Sequence, residues 1–418
     1  MFATILLTVA CAMPDVILIS VDTLRADHLG MYGYERDTSP NLDRFARDAI
    51  VFEDMLCEIP LTSPSFASMM SSQFPRMTGT TRNGLPLPQD IPTAAKVFQA
   101  AGYQTLCVQS NWTLKRKLSG LDRGFDIYED DFHKKRWGVI KSERNADEVT
   151  RIALELLDAR DPDRPLFAWF HFSDPHAPYK KHRKFRMSPK IKRHRDPAAA
   201  VTARYDSEIA YTDHYIGTLL SALPEDAYVV FVGDHGESLW EHDYLGHGRR
   251  IYHPGLRVPL LIAGPGIQPG RTSIAARGID LAPTLLSLAG LAHPETMIGF
   301  DLLDAATPTS RVRVVETYGG AVPKLPGARA LMAGKGPQLQ AVIAGDWKLI
   351  LDGEGAELYR LSDDPGELND LAKMDPERVT ELAALIRQWD LDTTRTLTDE
   401  AALSEDDIDA LNALGYIE

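Results

Sequence analysis

Three short apolar runs along the chain have the pattern of strands that are buried on both faces. They are PDVILISV at residues 14–21, LFAWFHF at 166–172 and AYVVFVG at 227–233. Each run is continuous and rich in branched or aromatic residues, without the alternation of a half-exposed strand, which is typical of a parallel sheet. We therefore predict that the three runs are strands of one parallel sheet.

Segments with apolar residues at helical spacing separate these runs. We predict helices at residues 40–48, 65–70, 93–101, 146–160 and 203–223, and further strands at 103–109, 258–263 and 311–316. Helices between parallel strands, without an internal repeat, predict an α/β fold, a three-layer α/β/α sandwich around a mainly parallel sheet. We assign residues 14–308 to this domain.

The pattern changes after about residue 308. The strands predicted at 338–351 and 356–361 are shorter and alternate more, and a helix is predicted at 376–389. This combination indicates a small C-terminal α+β subdomain at 309–395. In the acidic segment 396–418, leucine and isoleucine recur at helical spacing, which favours a docked helix over a free tail.

Composition and charge narrow the class of protein. The chain has 418 residues, of which 44% are hydrophobic, and can bury a large core. Its formal net charge of −14 opposes general binding to nucleic acid or to anionic membranes. No later run of about 18 apolar residues is present, which excludes a protein with several membrane spans.

The N-terminal segment 1–13 admits two interpretations. MFATILLTVAC is a short apolar run that ends in small residues before a cysteine, and it resembles a bacterial lipoprotein signal with a lipid anchor on Cys11. This interpretation predicts an extracytoplasmic protein. No Lys or Arg precedes the run, and a cytoplasmic chain with an apolar start is the alternative.

The three buried-strand runs are each followed at once or closely by an aspartate. These residues are Asp22, Asp174 and Asp234, and His176 and His235 lie beside the last two. Ligands of an open parallel sheet bind beyond the carboxyl ends of its strands. We therefore expect these side chains to gather along one edge of the sheet.

The densest group of metal-capable side chains lies between residues 232 and 248. The sequence VGDHGESLWEHDYLGHG contains Asp234, His235, Glu237, His242, Asp243 and His247. Carboxylates mixed with imidazoles suit zinc, manganese or another borderline cation, whereas an all-oxygen set would suit calcium or magnesium.

A hydroxyl-rich stretch, LTSPSFASMM at residues 61–70, predicts the start of a helix. Ser63 suits the N-cap and Pro64 suits the first helical position. The unpaired N–H groups at a helix start stabilise a bound anionic ester. Thr62 is our candidate nucleophile.

Longer motifs follow one another along nearly the whole chain. They include ILISVDTLRADHLGMYGY, TSPSFASMM, HFSDPHAPY, GDHGESLWEH and DLAPTLLSLAGL, with GDWKLIL and ELYRLSDDPGELNDLA further downstream. Together they resemble the sulfatase branch of the alkaline phosphatase superfamily, most specifically in the pairing of VDTLRADHLG with GDHGES. The resemblance implies an alkaline-phosphatase-like sandwich and a hydrolase of ester bonds.

The resemblance also implies a metal site formed by Asp22, Asp234 and His235, with Thr62 as both ligand and nucleophile. Sulfatases of this type carry a Cys or Ser, oxidised to formylglycine, in a C/S-x-P-x-R pattern. The same frame here has Thr62 at the oxidised position and Phe66 at the arginine position. Relatives that hydrolyse or transfer phosphoesters use an unmodified threonine, whose hydroxyl a metal activates.

Asn111, His176 and His247 are the other catalytic candidates implied by the resemblance. Asn111 stands where many sulfatases place a lysine that contacts the sulfate. His176 and His247, with Asp174, could bind a second metal, and two ions about 4 Å apart would hold both ends of an in-line displacement. Alternatively, a single ion is bound and the histidines hold the anion. We therefore expect one or two divalent ions of zinc, manganese or calcium.

A basic segment follows the HFSDPHAPY motif. KKHRKFRMSPKIKRHR, at residues 180–195, contains nine Lys or Arg residues. Such a run is typical of a solvated loop. Alternatively, it borders the site and attracts a small-molecule or polyanionic ester through Lys180, Lys181 and Arg183.

We predict a metal-dependent hydrolase in which Thr62 attacks phosphorus or sulfur and forms a covalent intermediate that water resolves. The threonine favours phosphate or phosphonate esters over sulfate esters. The alternatives are a sulfuric ester hydrolase proper and a transferase that moves a phosphorylated headgroup to another acceptor. Outside enzymes, the alternative is an inactive protein that binds a metal and an anion.

Overall fold

A computed structural model describes residues 13–131, 143–180, 182–185, 197–319, 339–353 and 355–396. Several predictions lie outside the described residues: the signal segment with Cys11, most of the basic segment including Lys181, and the helical tail after residue 396.

Strands and helices alternate along most of the described chain. The strands are β1 Val16–Val21, β2 Ile50–Leu56, β3 Gln104–Val108, β4 Ile127–Glu129, β5 Leu166–Phe172, β6 Tyr228–Gly233, β7 Ser238–Leu239, β8 Leu245–Gly246, β9 Leu260–Ala263, β10 Gly270–Arg277, β11 Arg313–Glu316, β12 Gln340–Ala344, β13 Trp347–Leu351 and β14 Ala356–Arg360. The α-helices are α1 Pro40–Phe45, α2 Thr62–Ser71, α3 Pro75–Thr78, α4 Ala94–Ala100, α5 Arg116–Ser119, α6 Ala146–Asp158, α7 Pro197–Leu220, α8 His253–Leu256, α9 Leu281–Leu288 and α10 Pro376–Asp392.

Eight of the described strands form one sheet, in the order β10-β2-β9-β6-β1-β5-β3-β4. The central strand β1 is parallel to β5 and β6, and Val21 pairs with Phe172 and with Gly233. The residues that follow these three positions therefore emerge at one edge of the sheet. Strand β9 is antiparallel to both of its neighbours, so the sheet is mainly parallel, as predicted.

Helices cover both faces of this sheet. On one face, Phe66 of α2, Phe98 of α4 and Leu285 of α9 belong to one buried hydrophobic cluster. On the other face, Val149 of α6 and Tyr205 of α7 belong to a second cluster. The predicted three-layer sandwich is confirmed.

Three strands of the large sheet were not predicted from the sequence. Strand β2 carries Glu53 and Asp54 among its apolar residues, and β10, at the sheet edge, is largely exposed at its start. Strand β4 has only three residues. None of them is a continuous apolar run, which was the pattern used to predict strands.

A four-stranded antiparallel sheet, β11-β12-β13-β14, follows the sandwich. Leu382 and Ile386 of α10 pack against Val342 and Leu349 of this sheet. The predicted small C-terminal α+β subdomain is therefore present, although its predicted bounds stay a prediction. None of the helices in the described part of the chain is long and apolar enough to cross a membrane.

Candidate active site

The carboxyl ends of β1 and β6 bring three candidate ligands together. Asp22 follows β1, while Asp234 and His235 follow β6, and all three side chains are fully buried. Nε2 of His235 lies 3.6 Å from Oδ1 of Asp22 and 3.6 Å from Oδ2 of Asp234. One ligand atom from each residue lies within 4.8 Å of the others, so the three can face a common ion.

The hydrogen bonds around these residues leave the inward-facing atoms free to bind a cation. Oδ1 of Asp234 accepts the backbone N–H groups of Thr23 at 3.0 Å and His235 at 2.7 Å. Oδ2 of Asp234 and Oδ1 of Asp22 are buried and have no hydrogen-bond partner. Nδ1 of His235 lies 2.9 Å from the carbonyl of Gly236, which can only accept, so the lone pair of the ring is on Nε2. This donor set fits a divalent metal ion.

Thr62 faces the same space from the first residue of α2. Its Oγ1 lies 3.3 Å from Nε2 of His235. The predicted N-cap at Ser63 is wrong, because Leu61 is the N-cap and the helix begins before Pro64. The hydroxyl of Ser63 instead donates to the Thr113 carbonyl at 2.8 Å.

Burial makes the ionised forms of the two carboxylates of this centre unfavourable in free energy when no cation is bound. It raises the pKa of Asp22 to about 7, although the charge of His176 and a hydrogen bond from Asn111 oppose the shift. Burial and the charge of Asp22 raise the pKa of Asp234 well above its usual value. Asn111 donates its side-chain N–H to Oδ2 of Asp22, so it contacts a candidate metal ligand. A bound cation would favour the ionised carboxylates.

His176 and His247 lie side by side next to this centre. Their ring centroids are 5.2 Å apart, and the ring of His247 is 4.6 Å from that of His235. Each has a carboxylate behind it: Nδ1 of His176 is 3.0 Å from Oε1 of Glu143, and Nδ1 of His247 is 3.1 Å from Oε1 of Glu237. Carboxylates in this position orient an imidazole and fix which nitrogen faces the site.

The two histidines differ in their affinity for a proton. Burial alone would lower the pKa of His176, but the hydrogen bond with Glu143 and the charge of Asp22 raise it to about 10. Burial and the charge of His176 lower the pKa of His247 well below its usual value. In the metal-free protein at neutral pH, His176 therefore favours its protonated form and His247 its neutral form.

Comparisons with known proteins agree with the fold. The family model described as Sulfatase matches residues 14–291. The chain belongs to the sulfatase family. A second model, described as the C-terminal part of N-sulphoglucosamine sulphohydrolase, matches residues 240–394.

Two curated sulfatases and one solved structure illustrate the similarity. The choline-sulfatase of Rhizobium meliloti is 27% identical over 86% of this chain and 82% of its own. The ulvan-active sulfatase of Formosa agariphila is 27% identical over 75% of this chain and 70% of its own. The structure of the phosphonate monoester hydrolase of Agrobacterium radiobacter has a TM-score of 0.70 at 20% identity, covering 91% of this chain and 95% of that one. The protein is thus a sulfatase-family hydrolase of ester bonds.

Phe66, at the arginine position of the sulfatase pattern, packs in the hydrophobic core. Its ring centroid lies 4.8 Å from that of Trp169 and 4.9 Å from that of His171, and the side chain is fully buried. The position is therefore part of an apolar support beneath α2.

The structure does not bring Asp174 into a ligand set with His176 and His247. The chain turns tightly after β5, with the N–H of His176 donating to the Ser173 carbonyl at 3.0 Å, and Asp174 faces α7. Among the described residues, the three-ligand set that contains Asp174 also contains His182 and Glu208. The predicted composition of a second site is corrected accordingly.

The described part of the basic segment lies at the surface. Lys180 and Arg183 are exposed, and the ammonium of Lys180 donates to Oδ1 of Asn145 at 3.3 Å. Their role in substrate binding stays a prediction.

Sequence reasoning missed Glu143 as a residue of the candidate site. Glu143 belongs to none of the motifs and reaches the site through an isolated antiparallel bridge with Asn111. Glu237 was recognised only as a metal-capable residue, whereas the structure places it behind His247, where Tyr179 also donates to it at 2.9 Å. A single carboxylate outside any motif gives no local signal of such a position.

Proposed function

We propose that this sulfatase-family hydrolase cleaves phosphate or phosphonate esters through the unmodified hydroxyl of Thr62. The observation that supports this most is the position of Oγ1 of Thr62, 3.3 Å from Nε2 of His235 and beside two buried carboxylates. Formylglycine is formed from Cys or Ser, so a threonine in this position can act only through its own hydroxyl.

Asp22, Asp234, His235 and Thr62 would hold the metal ion. When bound, zinc, manganese or calcium would lower the pKa of the threonine hydroxyl and stabilise charge on the ester. The imidazole in the donor set favours zinc or manganese.

The remaining steps are the attack by Thr62 and two proton transfers by His176 and His247. Oγ1 of Thr62 forms a bond to phosphorus, its proton passes to solvent, and the bond to the leaving oxygen breaks on the opposite side. His176, whose protonated form is favoured by Glu143 at 3.0 Å, donates a proton to that oxygen. His247, which is neutral, accepts a proton from the water that then displaces Thr62 from phosphorus. The threonine oxygen takes a proton from solvent as it leaves, His176 is reprotonated from solvent and His247 releases its proton, so the site returns to its starting state.

The first test compares Thr62→Val with Thr62→Ser on four esters: p-nitrophenyl phosphate, bis-p-nitrophenyl phosphate, p-nitrophenyl phenylphosphonate and p-nitrophenyl sulfate. Valine keeps the volume of the side chain but removes the hydroxyl, and we expect kcat to fall by about 10³-fold or more. Serine keeps a nucleophilic oxygen and should retain measurable turnover. Full activity in Thr62→Val, with the metal content unchanged, would contradict the mechanism.

Sulfate ester hydrolysis is the second candidate. It is favoured by membership of the sulfatase family and by 27% identity to a choline-sulfatase. Intact-mass measurement of the protein, together with turnover of p-nitrophenyl sulfate and p-nitrophenyl phosphate, separates the two. Faster sulfate turnover by protein with an unmodified Thr62 would support this candidate over ours.

A further inference from the structure

A second group of metal-capable side chains takes no part in the proposed reaction. Asp174 follows β5, His182 lies further along the same connection, and Glu208 is on α7. One ligand atom from each lies within 4.8 Å of the others. Asp174 and Glu208 are buried, whereas 16% of the His182 side chain is exposed, so solvent reaches the group from one side.

Asp174 is the residue whose environment indicates a ligand. It is 5% exposed, and neither of its carboxylate oxygens makes a hydrogen bond of normal geometry, although the backbone N–H of Ala146 faces the carboxylate. A buried carboxylate without hydrogen bonds is costly unless a cation compensates it. Glu208 adds a second carboxylate, and the charge of Lys180 and the imidazole of His182 offset the two carboxylates only in part, since burial still raises the pKa of both.

The other two side chains are held in place by the surrounding structure. Nε2 of His182 is 2.5 Å from Oε2 of Glu208, and the other oxygen of Glu208 accepts the backbone N–H of Lys180. The ring of His182 stacks on Tyr211 with centroids 3.8 Å apart and planes within 7°. The hydroxyl of Tyr211 in turn donates to Asp147 at 2.9 Å. Two ligands are thus positioned before any ion binds.

We propose that Asp174, His182 and Glu208 bind a second divalent cation, separate from the one at Asp22 and Asp234. Two carboxylates and one imidazole favour zinc or manganese. Metal–ligand bonds of about 2.0–2.2 Å place ligand atoms roughly 3–4 Å apart, so small side-chain rotations close the site. The ion joins the connection that carries His176 to α7, and its role is structural.

The test is the number of zinc or manganese ions bound per chain. Protein stripped with a chelator is dialysed against micromolar zinc, and separately manganese, and its metal content is measured. We expect His182→Ala and Glu208→Gln each to lose one equivalent that the unsubstituted protein binds. Asp22→Asn should lose a different equivalent, and the Asp22→Asn/His182→Ala double variant should lose both.

Two further variants make the result specific. Asp226→Asn, an exposed carboxylate, should bind as many ions as the unsubstituted protein. If the second equivalent is lost in His247→Ala but kept in His182→Ala, the ion belongs beside the catalytic centre and our proposal is wrong. The proposal is equally wrong if the unsubstituted protein binds only the ion that Asp22→Asn removes, or if the second binds only at millimolar concentrations. Circular dichroism of each variant shows whether a lost ion reflects a lost fold.

Discussion

Phe66 lies one helical turn below Thr62, so the two residues share one face of α2. Beneath Thr62, the ring of Phe66 packs against Trp169 and His171. His171 is neutral because burial lowers its pKa to about 3, and its Nδ1 lies 2.9 Å from the hydroxyl of Ser20. The support beneath Thr62 therefore carries no charge. This agrees with the proposal that Thr62 acts through its own hydroxyl.

Restoring the sulfatase arginine with Phe66→Arg should destabilise the protein without creating a sulfatase site. The guanidinium would replace a fully buried ring among apolar neighbours, which costs several kcal/mol when no carboxylate pairs with it. Thermal unfolding of Phe66→Arg and of the apolar control Phe66→Leu measures this. We expect a much larger fall in Tm for arginine, whereas an unchanged Tm would show that the side chain reaches a polar space.

Glu143 should set the proton affinity of His176. Because the hydrogen bond with Glu143 raises the pKa of His176, Glu143→Gln should lower that pKa from about 10 towards its usual value. His176 would then lose its proton at a lower pH, and the alkaline limb of the kcat/KM profile should shift to lower pH by about one pH unit or more. An unchanged profile with lower kcat would mean that Glu143 only supports the fold. Glu155→Gln, a carboxylate on α6 whose side chain is 63% exposed, is the control.

At the scale of elements, continuous apolar runs predicted β5 without error and β1 and β6 within two residues. These three strands also position Asp22, Asp174 and Asp234, so the edge that carries the site followed from the sequence. The sequence did not predict the direction in which Asp174 points, because the turn after β5 decides that direction. The start of α2 was also mispredicted, because the Thr113 carbonyl that binds Ser63 is distant in sequence.

The C-terminal subdomain is joined to the sandwich by Arg76 of α3. This buried side chain contacts Glu316 at the end of β11 at 3.3 Å and Asp390 of α10 at 2.5 Å, and it lies 4.2 Å from the ring centroid of Trp389. Two elements of the small subdomain thus contact one guanidinium of the sandwich.

Arg76→Ala should therefore lower the free energy of unfolding by about 3–5 kcal/mol, because it leaves Glu316 buried without its cation. Denaturant unfolding measures the change. The control is Asp390→Asn, whose side chain is 40% exposed and whose loss should cost about 1 kcal/mol or less. Equal effects of the two substitutions would show that Glu316 does not depend on Arg76.

At the scale of the whole molecule, the candidate metal centre is where the sequence was most informative. Asp22, Asp234 and His235 follow strands that are adjacent in the sheet, so strand order alone brings them together. Glu143 and His182 lie in connections between elements, and their positions depend on contacts with distant parts of the chain. Local sequence patterns do not encode those contacts, whereas strand ends are fixed by the periodicity that produces the sheet.

Buried groups that hold protons should make the metal-free protein less stable as the pH rises above neutral. Burial raises the folded-state pKa of Asp22, Glu58 and Glu237 to about 7, and that of His176 is raised to about 10. In the unfolded chain, carboxyl and imidazole groups have lost most of their protons by pH ~7. The folded state therefore holds protons that the unfolded state lacks, and its stability falls as pH rises through the folded pKa values.

Calorimetry between about pH 7 and 8.5 tests this, because each proton held only by the folded state is worth ~1.4 kcal/mol per pH unit. The Tm of chelator-treated protein should fall across this range. Zinc holds Asp22 in its ionised form, so the zinc-loaded protein should lose less, and the rise in Tm caused by zinc should grow with pH. Glu58→Gln removes a buried carboxyl outside the candidate metal site. It should reduce the fall in Tm of the stripped protein with pH, while the rise in Tm caused by zinc should still grow with pH. A Tm of the stripped protein that stays level or rises with pH would show that these carboxyls are already ionised without metal.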